Sequence, residues 1–187
     1  MARNSSLAAL KPALDRLYDS FNYPLSATDP IHIVRRWSRP ADLEVVGFVA
    51  ASLAFGRVAS VMQSIERVVA VVGAKPAEYV RGFDPGRESP RFAGIVHRWI
   101  RERDLVALFW MMRQMLEQSG SIEGFFVEGQ DLAGPFDIAS AIDSFSRRAM
   151  ALDLAPAYGK VPRRPGVAYF FPRPEAGSAC KRLNLFL

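Results

Sequence analysis

The sequence predicts an all-α fold, a helical bundle of about eight helices in one domain. Apolar residues recur every three or four positions along most of the chain, which is the period of an amphipathic helix. No two segments of alternating polar and apolar residues are joined by a tight turn, so nothing in the sequence predicts a sheet. Half of the 187 residues are hydrophobic, which is enough for a chain of this length to bury a large core.

The first half of the chain contains four helical segments. A predicted loop over residues 22–30 separates the first two, and Pro40 ends the second because proline cannot continue a helix. The third segment is apolar on almost every side, which is typical of the central buried helix of a bundle, and Asp42 is its predicted cap. Gly73 is expected to end the fourth. The four segments span residues 7–21, 31–37, 43–55 and 58–72.

The second half continues the helical pattern and then loses it. Residues 84–90 are predicted as a loop, Ser121 is the predicted cap of the helix that follows it, and Asp137 lies near the start of the next helix. Residues 155–173 are interrupted repeatedly by proline and glycine, so a long irregular connection is expected there. The predicted helices span residues 76–83, 92–100, 105–116, 121–127 and 138–149.

The positive charge of the chain is concentrated at its C-terminal end. The formal net charge is +5, and residues 160–187 hold six basic residues and one acidic residue, whereas residues 1–159 are balanced. The chain thus divides into a helical core, residues 1–159, and a basic segment, residues 160–187, of the same domain. Such a surface suits a nucleic-acid backbone, although a solvated loop is the plainer alternative. Its basic residues are Lys160, Arg163, Arg164, Arg173, Lys181 and Arg182.

Several classes of protein are not indicated. The single cysteine cannot form an internal disulfide, which fits a reducing cytoplasm. The longest apolar run, residues 45–55, is too short to span a bilayer, and residues 1–6 show no signal-peptide core. Two histidines and one cysteine without close spacing argue against a metal site. No nucleotide-binding glycine loop or catalytic triad motif is present, so we expect no cofactor.

The end of the chain carries the most informative local pattern. Ser178 is the predicted N-cap of a last helix, which places Lys181 and Arg182 in its first turn against the positive end of the helix dipole. Positive surroundings favour the neutral amine, which is the nucleophilic form. A simple phosphate contact is the alternative. Structural roles are expected for Arg57, which follows Gly56, and for His97, which lies beside an apolar stripe.

Two stretches resemble an uncharacterised bacterial family. They are Ala-Ser-Leu-Ala-Phe-Gly-Arg-Val at 51–58 and the run from Pro172 to Leu187, and both Glu44 and the pair at 97–98 fit as well. That family is similar to the helix-hairpin-helix DNA glycosylases, most of all to the archaeal-type 8-oxoguanine glycosylases. The resemblance covers nearly the whole chain and implies an all-α fold. It also implies that Lys181 attacks the sugar C1′ of a flipped-out nucleotide, assisted by an aspartate further along.

The resemblance further implies which residues contact DNA, and where the chain departs from the family. Of the two glycines of the usual hairpin, Gly177 matches the first, whereas Ala179 stands at the second, so the phosphate contact of the hairpin is only partly kept. Family members continue well past Leu187, which implies that this chain is a C-terminally truncated, impaired piece of a glycosylase-like protein. The implied DNA contacts are Gly177, Ser178, Arg182, Arg163, Arg164, Lys160, Arg173 and Arg57.

Three functions remain open at this point. In the first, the protein is a glycosylase with lyase activity on damaged bases in duplex DNA. In the second, it is a non-catalytic nucleic-acid-binding module, whose binding falls steeply with salt. In the third, it is a helical interaction module that docks a partner on the apolar edge formed by residues 183–187.

Overall fold

The computed structural model describes residues 2–21, 28–130 and 137–187, and within them the protein is all-α. These residues form eleven α-helices and three 3₁₀ helices of three to five residues, and no β-strand. The α-helices are α1 Ala2–Phe21, α2 Ile31–Val34, α3 Pro40–Leu53, α4 Val58–Val72, α5 Pro76–Arg81, α6 Pro85–Glu88, α7 Glu102–Ser119, α8 Ile122–Val127, α9 Ile138–Met150, α10 Ala155–Tyr158 and α11 Lys181–Phe186. The 3₁₀ helices are Ser89–Phe92, Gly166–Phe170 and Pro174–Ala176.

The predicted central helix is confirmed as α3. Its Phe48 is fully buried, and the Phe48 ring centroid lies 6.2 Å from that of Phe145 in α9, 5.9 Å from that of Phe171 and 5.1 Å from that of Phe186 in α11. Helix α7 forms the second axis of the core and packs against α5, α8 and α10. The C-terminal helix is therefore attached directly to the centre of the fold.

The predicted caps Ser121 and Gly73 are confirmed, and the structure shows a further cap at Asp137. The Ser121 hydroxyl accepts a hydrogen bond from Gly124 N at 2.8 Å, and the Asp137 carboxylate accepts from Ala139 N at 3.0 Å. Gly73 ends α4 with a φ of +80°. Asp42, in contrast, is not a cap: it lies inside the first turn of α3, where it is buried and accepts a hydrogen bond from Ala77 N at 2.9 Å. Its carboxylate therefore joins α3 to α5.

The number of helices and two of the boundaries differ from the prediction. Residues 92–100 do not form a helix, because Gly94 and Arg98 both have positive φ and His97 pairs with Ile100 in an isolated bridge. The predicted loop over residues 84–90 contains α6, and the irregular stretch after residue 155 contains α10 and a 3₁₀ helix. Helices of four to six residues leave too few positions for a periodic pattern, so packing determines where they form.

Helix α1 is present as predicted, although Leu10, Leu14 and Leu17 of its apolar stripe are largely exposed. Residues 22–27 of the predicted loop lie outside the described residues. Within the described ranges, no helix combines the length and the apolarity needed to cross a bilayer.

Candidate nucleic-acid interface

Three segments that are far apart in the sequence meet at one surface cluster of aromatic rings. Phe55 follows α3, Trp99 precedes α7, and Tyr169 belongs to the basic segment. The ring centroid of Phe55 lies 5.1 Å from that of Trp99 and 4.9 Å from that of Tyr169, and the latter two are 4.9 Å apart. We call these three residues the aromatic triad. It fixes the basic segment against the ends of two core helices.

The Arg182 side chain contacts two residues of the triad, Tyr169 and Phe55. Its Nη2 donates a hydrogen bond to Tyr169 O at 2.6 Å, and its Cζ lies 3.8 Å from the centroid of the Tyr169 ring and 5.1 Å from that of Phe55. Burial lowers the pKa of the Arg182 guanidinium. The resemblance implied that Arg182 contacts DNA, but the structure shows a half-buried side chain whose donors serve the protein itself.

Two backbone positions with positive φ shape the rim of the triad. Gly56 has a φ of +109°, a conformation that side chains with a Cβ rarely adopt. Arg98 has a φ of +55°, and its guanidinium carbon lies 5.1 Å from the centroid of the Trp99 ring. A Cβ at Gly56 would lie 3.3 Å from Arg98 Nη1, so the two turns pack closely. Arg98 and Arg57 are both exposed beside the rings.

His97 supports the triad from the interior, which confirms its expected packing and hydrogen-bonding role. It is buried, and its ring centroid lies 4.5 Å from that of Phe55. Its Nε2 donates to Phe55 O at 2.9 Å, because a carbonyl oxygen only accepts, and its Nδ1 then accepts from Ser64 Oγ at 2.9 Å. Both ring nitrogens of the neutral imidazole therefore have hydrogen-bond partners, and burial lowers the pKa of His97.

The stability of the protein is expected to fall as the pH drops below about 6.5, the pKa of a histidine in an unfolded chain. Since the folded pKa of His97 is lower, the unfolded state binds more protons between the two values, and acid therefore favours unfolding. Urea unfolding at pH 7.5, 6.5 and 5.5 measures this effect. His97→Gln should show a shallower pH dependence than His32→Gln, which removes the other histidine and leaves the His97 contacts intact. Equal profiles for the two variants would exclude His97 as the cause.

The basic segment is anchored to the start of α7 by a buried carboxylate. Asp104 accepts hydrogen bonds from Tyr158 Oη at 2.7 Å and from Arg101 N at 2.9 Å, and it is buried. The Tyr158 hydroxyl in turn accepts from Val167 N at 3.2 Å. Gly166 lies so close to Asp104 that a Cβ there would be 2.5 Å from the carboxylate carbon. Residues 158 and 166 therefore hold the chain between them at this end of α7.

The chain between these two anchors carries three of the predicted DNA contacts. Lys160, Arg163 and Arg164 are exposed, and within the described ranges their side chains have no hydrogen-bond or ion-pair partner. The same is true of Arg57. The chain that carries Lys160, Arg163 and Arg164 runs from Tyr158, which is hydrogen-bonded to Asp104, to Tyr169 of the triad. Together with the triad they form what we call the basic aromatic face.

The resemblance implied that Arg173 contacts DNA, but the structure pairs its side chain with carboxylates of the protein itself. Its Nε and Nη2 each donate to one oxygen of the Asp143 carboxylate at 2.9 Å, and Nη2 also lies 2.7 Å from Glu175. Arg147 reaches the same carboxylate at 3.0 Å. These hydrogen bonds hold the pKa of the buried Asp143 below its usual range. Arg173 therefore fastens the start of the 3₁₀ helix Pro174–Ala176 to α9, and its charge is already balanced.

The last helix begins two residues later than the cap prediction placed it. Ser178 Oγ accepts from Cys180 N at 3.1 Å and caps a turn, while α11 starts at Lys181. The reason lies at Cys180, which has a buried side chain and a left-handed backbone conformation with a φ of +48°. Because this conformation is not that of an α-helix, the helix can begin only at the next residue. Gly177 is exposed in the preceding turn with a φ of +81°. Lys181 is thus the first residue of the helix.

Lys181 presents an accessible amine on a well-anchored helix. Its side chain is exposed, and it has no partner among the described residues. Leu183, two residues on, is buried, and Phe186 packs on Phe48. Residues 182–187 contain no aspartate or glutamate. The geometry therefore supplies an accessible primary amine and no carboxylate paired with it among the described residues.

The apolar edge that was expected at residues 183–187 is smaller than predicted. Leu183 is buried, whereas Leu185 and Leu187 are 70% and 54% exposed. The last two residues help to line an open groove of 1160 Å³ along the small residues of α3, among them Gly47 and Ala51. No group of three or more histidine, cysteine or acidic side chains that could hold a metal ion exists in the parts of the chain that the structure describes.

Sequence reasoning missed Trp99, Tyr169 and Arg98 as functional candidates. Trp99 lies in residues 92–100, for which the sequence predicts a helix that does not form, and Tyr169 lies in the predicted irregular connection of residues 155–173. The available signal was an arginine beside an aromatic residue in two separate segments, Phe55-Gly56-Arg57 and Arg98-Trp99. Arginine and aromatic side chains together are typical of surfaces that bind single-stranded nucleic acid.

Fold and site together define an all-α protein with an exposed basic and aromatic face. The chain belongs to the family described as Protein of unknown function (DUF2400), whose model matches residues 29–187. A search of curated proteins found no match, and a search of solved structures found none either.

Proposed function

We propose that the protein binds damaged duplex DNA with the basic aromatic face and acts on it as a glycosylase with lyase activity through Lys181. The observation that carries this proposal is the exposed Lys181 amine, which has no partner among the described residues and adjoins the arginine that supports the triad. The unpaired cations of residues 160–164 support the contact with phosphates, because each neutralised phosphate releases a counterion.

The chemistry needs a nucleotide that has left the base stack. Extruding a base costs a few kcal/mol, and least for a damaged or mispaired base. The lysine nitrogen then forms a bond to C1′ while the glycosidic bond breaks and the base departs. The nitrogen loses one proton to the departing base, and its lone pair then expels O4′, which takes up a proton as the sugar ring opens to a protonated Schiff base. Loss of a C2′ proton from this intermediate breaks the C3′–O bond by β-elimination and nicks the strand. At an abasic site the aldehyde condenses with the amine directly, and no glycosidic bond has to break.

This difference sets the experiment that tests the proposal. Borohydride reduces a Schiff base to a stable amine, so a covalent adduct is expected on a duplex with an abasic site. A weaker adduct is expected on a duplex with 8-oxoguanine, because base departure also needs an acid or base and no carboxylate among the described residues is paired with Lys181. Absence of an adduct on both duplexes, with DNA binding intact, would contradict the proposed catalysis.

Binding without catalysis is the second candidate function. It is favoured by the absence, among the described residues, of a carboxylate paired with Lys181. In this case the basic aromatic face binds nucleic acid and the Lys181 amine contributes only its charge.

Removing two unpaired cations is expected to reduce the salt dependence of DNA binding. Each phosphate contact contributes about 0.9 to the slope of log K against log salt, so Arg163→Ala with Arg164→Ala should lower the slope by about 1.8. Fluorescence anisotropy of a labelled duplex between low and moderate salt measures it. The matched control is Lys11→Ala with Lys75→Ala, an equal loss of charge at residues already paired with Asp15 and Glu78. The same slope change in both variants would mean that net charge alone governs binding.

A further inference from the structure

We propose that the aromatic triad is a stacking site for an unpaired nucleobase, with Trp99 as its principal contact. This inference rests on the proposed function, because it assumes a nucleic-acid partner, and it names the part of that partner which the triad recognises. It does not depend on any reaction at Lys181.

The exposure of the rings is the first observation. Trp99 is 48% exposed and Tyr169 is 37% exposed, although both lie in a cluster with Phe55. Large aromatic side chains in direct contact usually continue into the core. Here the cluster stops at the surface and leaves ring area open. Every nucleobase has a π-face that such a platform can accept.

The charge around the rings is the second observation. Arg98 lies against the Trp99 ring, and Arg57 is exposed two residues after Phe55. Of the two carboxylates that follow Trp99, Asp104 is buried, whereas Glu102 is exposed and accepts a hydrogen bond from Gly94 N at 2.8 Å. The rings are therefore flanked by two exposed arginines, Arg57 and Arg98. That combination suits a base with its phosphates and disfavours an acidic protein surface without aromatic groups.

The rigidity of the platform is the third observation. The carbonyl oxygen of Phe55 accepts a hydrogen bond from His97 Nε2, and the carbonyl oxygen of Tyr169 accepts one from Arg182 Nη2. Stacking loses little side-chain entropy when the rings are already held in place. The triad is thus preorganised before a ligand arrives.

The state of the base follows from this geometry. A base inside a duplex has both faces covered by its neighbours, so it cannot stack on a protein ring without leaving the helix. The triad is expected to prefer a single strand, a bulge or an extruded nucleotide to a fully paired duplex. The proposed reaction also requires an extruded nucleotide, and Lys181 directly precedes Arg182, whose guanidinium lies against the rings of Phe55 and Tyr169.

Tryptophan fluorescence tests this inference, because stacking on a base quenches the indole. The chain has three tryptophans, and replacing Trp37 and Trp110 by phenylalanine leaves Trp99 as the sole tryptophan. We expect quenching by a short single strand and by a duplex with a one-base bulge, and much less by the same duplex fully paired. Equal quenching by the paired duplex, or no quenching at all, would overturn the proposal.

Affinity in the otherwise native chain provides the second readout. Trp99→Ala is expected to weaken binding to the bulged duplex about ten-fold, and Trp99→Phe much less, because a phenyl ring still stacks. Both substitutions are at a half-exposed position, so circular dichroism should show an unchanged fold. Equal affinities for Trp99→Ala and the parent would overturn the proposal.

Failure of this inference and failure of the proposed reaction are distinguishable. A Lys181-dependent borohydride adduct without Trp99 quenching leaves the reaction standing and removes the stacking site. Quenching without an adduct retains the stacking site and leaves the protein as a binding module.

Discussion

Replacement of Lys181 by alanine is expected to reduce the borohydride-trapped adduct on an abasic duplex to background. Trapping requires a primary amine that reaches C1′, and Lys181 is exposed, free of a partner among the described residues, and fixed on a helix anchored by Leu183. Gel electrophoresis of the denatured protein with a labelled oligonucleotide measures the adduct. Only one amine is removed, so the result assigns the nucleophile directly.

Two control variants distinguish the loss of the nucleophilic amine from the loss of a positive charge. Lys181→Arg keeps the positive charge but not the nucleophilic amine, so DNA binding should persist while the adduct disappears. Lys160→Ala removes another exposed amine of the basic segment and should leave the adduct unchanged. An adduct retained in Lys181→Ala, or lost in Lys160→Ala alone, would place the nucleophile elsewhere.

Replacement of Gly166 by alanine is expected to destabilise the protein by about 1–3 kcal/mol, the usual cost of overpacking a filled site. The new Cβ would lie 2.5 Å from the Asp104 carboxylate, which is buried and already holds Tyr158 and the Arg101 backbone. For a chain of this size, each kcal/mol lowers Tm by about 2–4 °C. Thermal unfolding followed by circular dichroism measures the change. DNA affinity should fall as well, because the basic segment loses its anchor.

A matched glycine and a double-mutant cycle isolate the cause. At Gly47 in α3 the added Cβ would lie 3.8 Å from Phe186, an ordinary contact. Gly47→Ala should therefore be neutral or slightly stabilising, since alanine favours the helix. Asp104→Ala removes the carboxylate that causes the clash, so Gly166→Ala should cost much less in that background. Equal costs in both backgrounds would show that the clash with Asp104 is not the reason.

The long helices and their ends were predictable because their causes are local. The periodic stripe of α7, the all-apolar α3 and the cap at Ser121 each depend on residues within a few positions of one another. The basic character of residues 160–187 is likewise a property of composition. The resemblance predicted membership of an uncharacterised family, and the family to which the chain belongs is described as a protein of unknown function.

The sequence alone determined the all-α class, the buried central helix and the location of the excess charge. Only the tertiary structure decided which of the charges are available and which aromatic rings are exposed. Arg173 pairs with Asp143, thirty residues away, and Arg182 supports Tyr169 and Phe55 from two other segments. Trp99 reached the surface because Gly94 and Arg98 turn the chain out of the predicted helix. Periodicity records contacts within a few residues, whereas these pairings join positions that become neighbours only when the chain packs, so no local pattern records them.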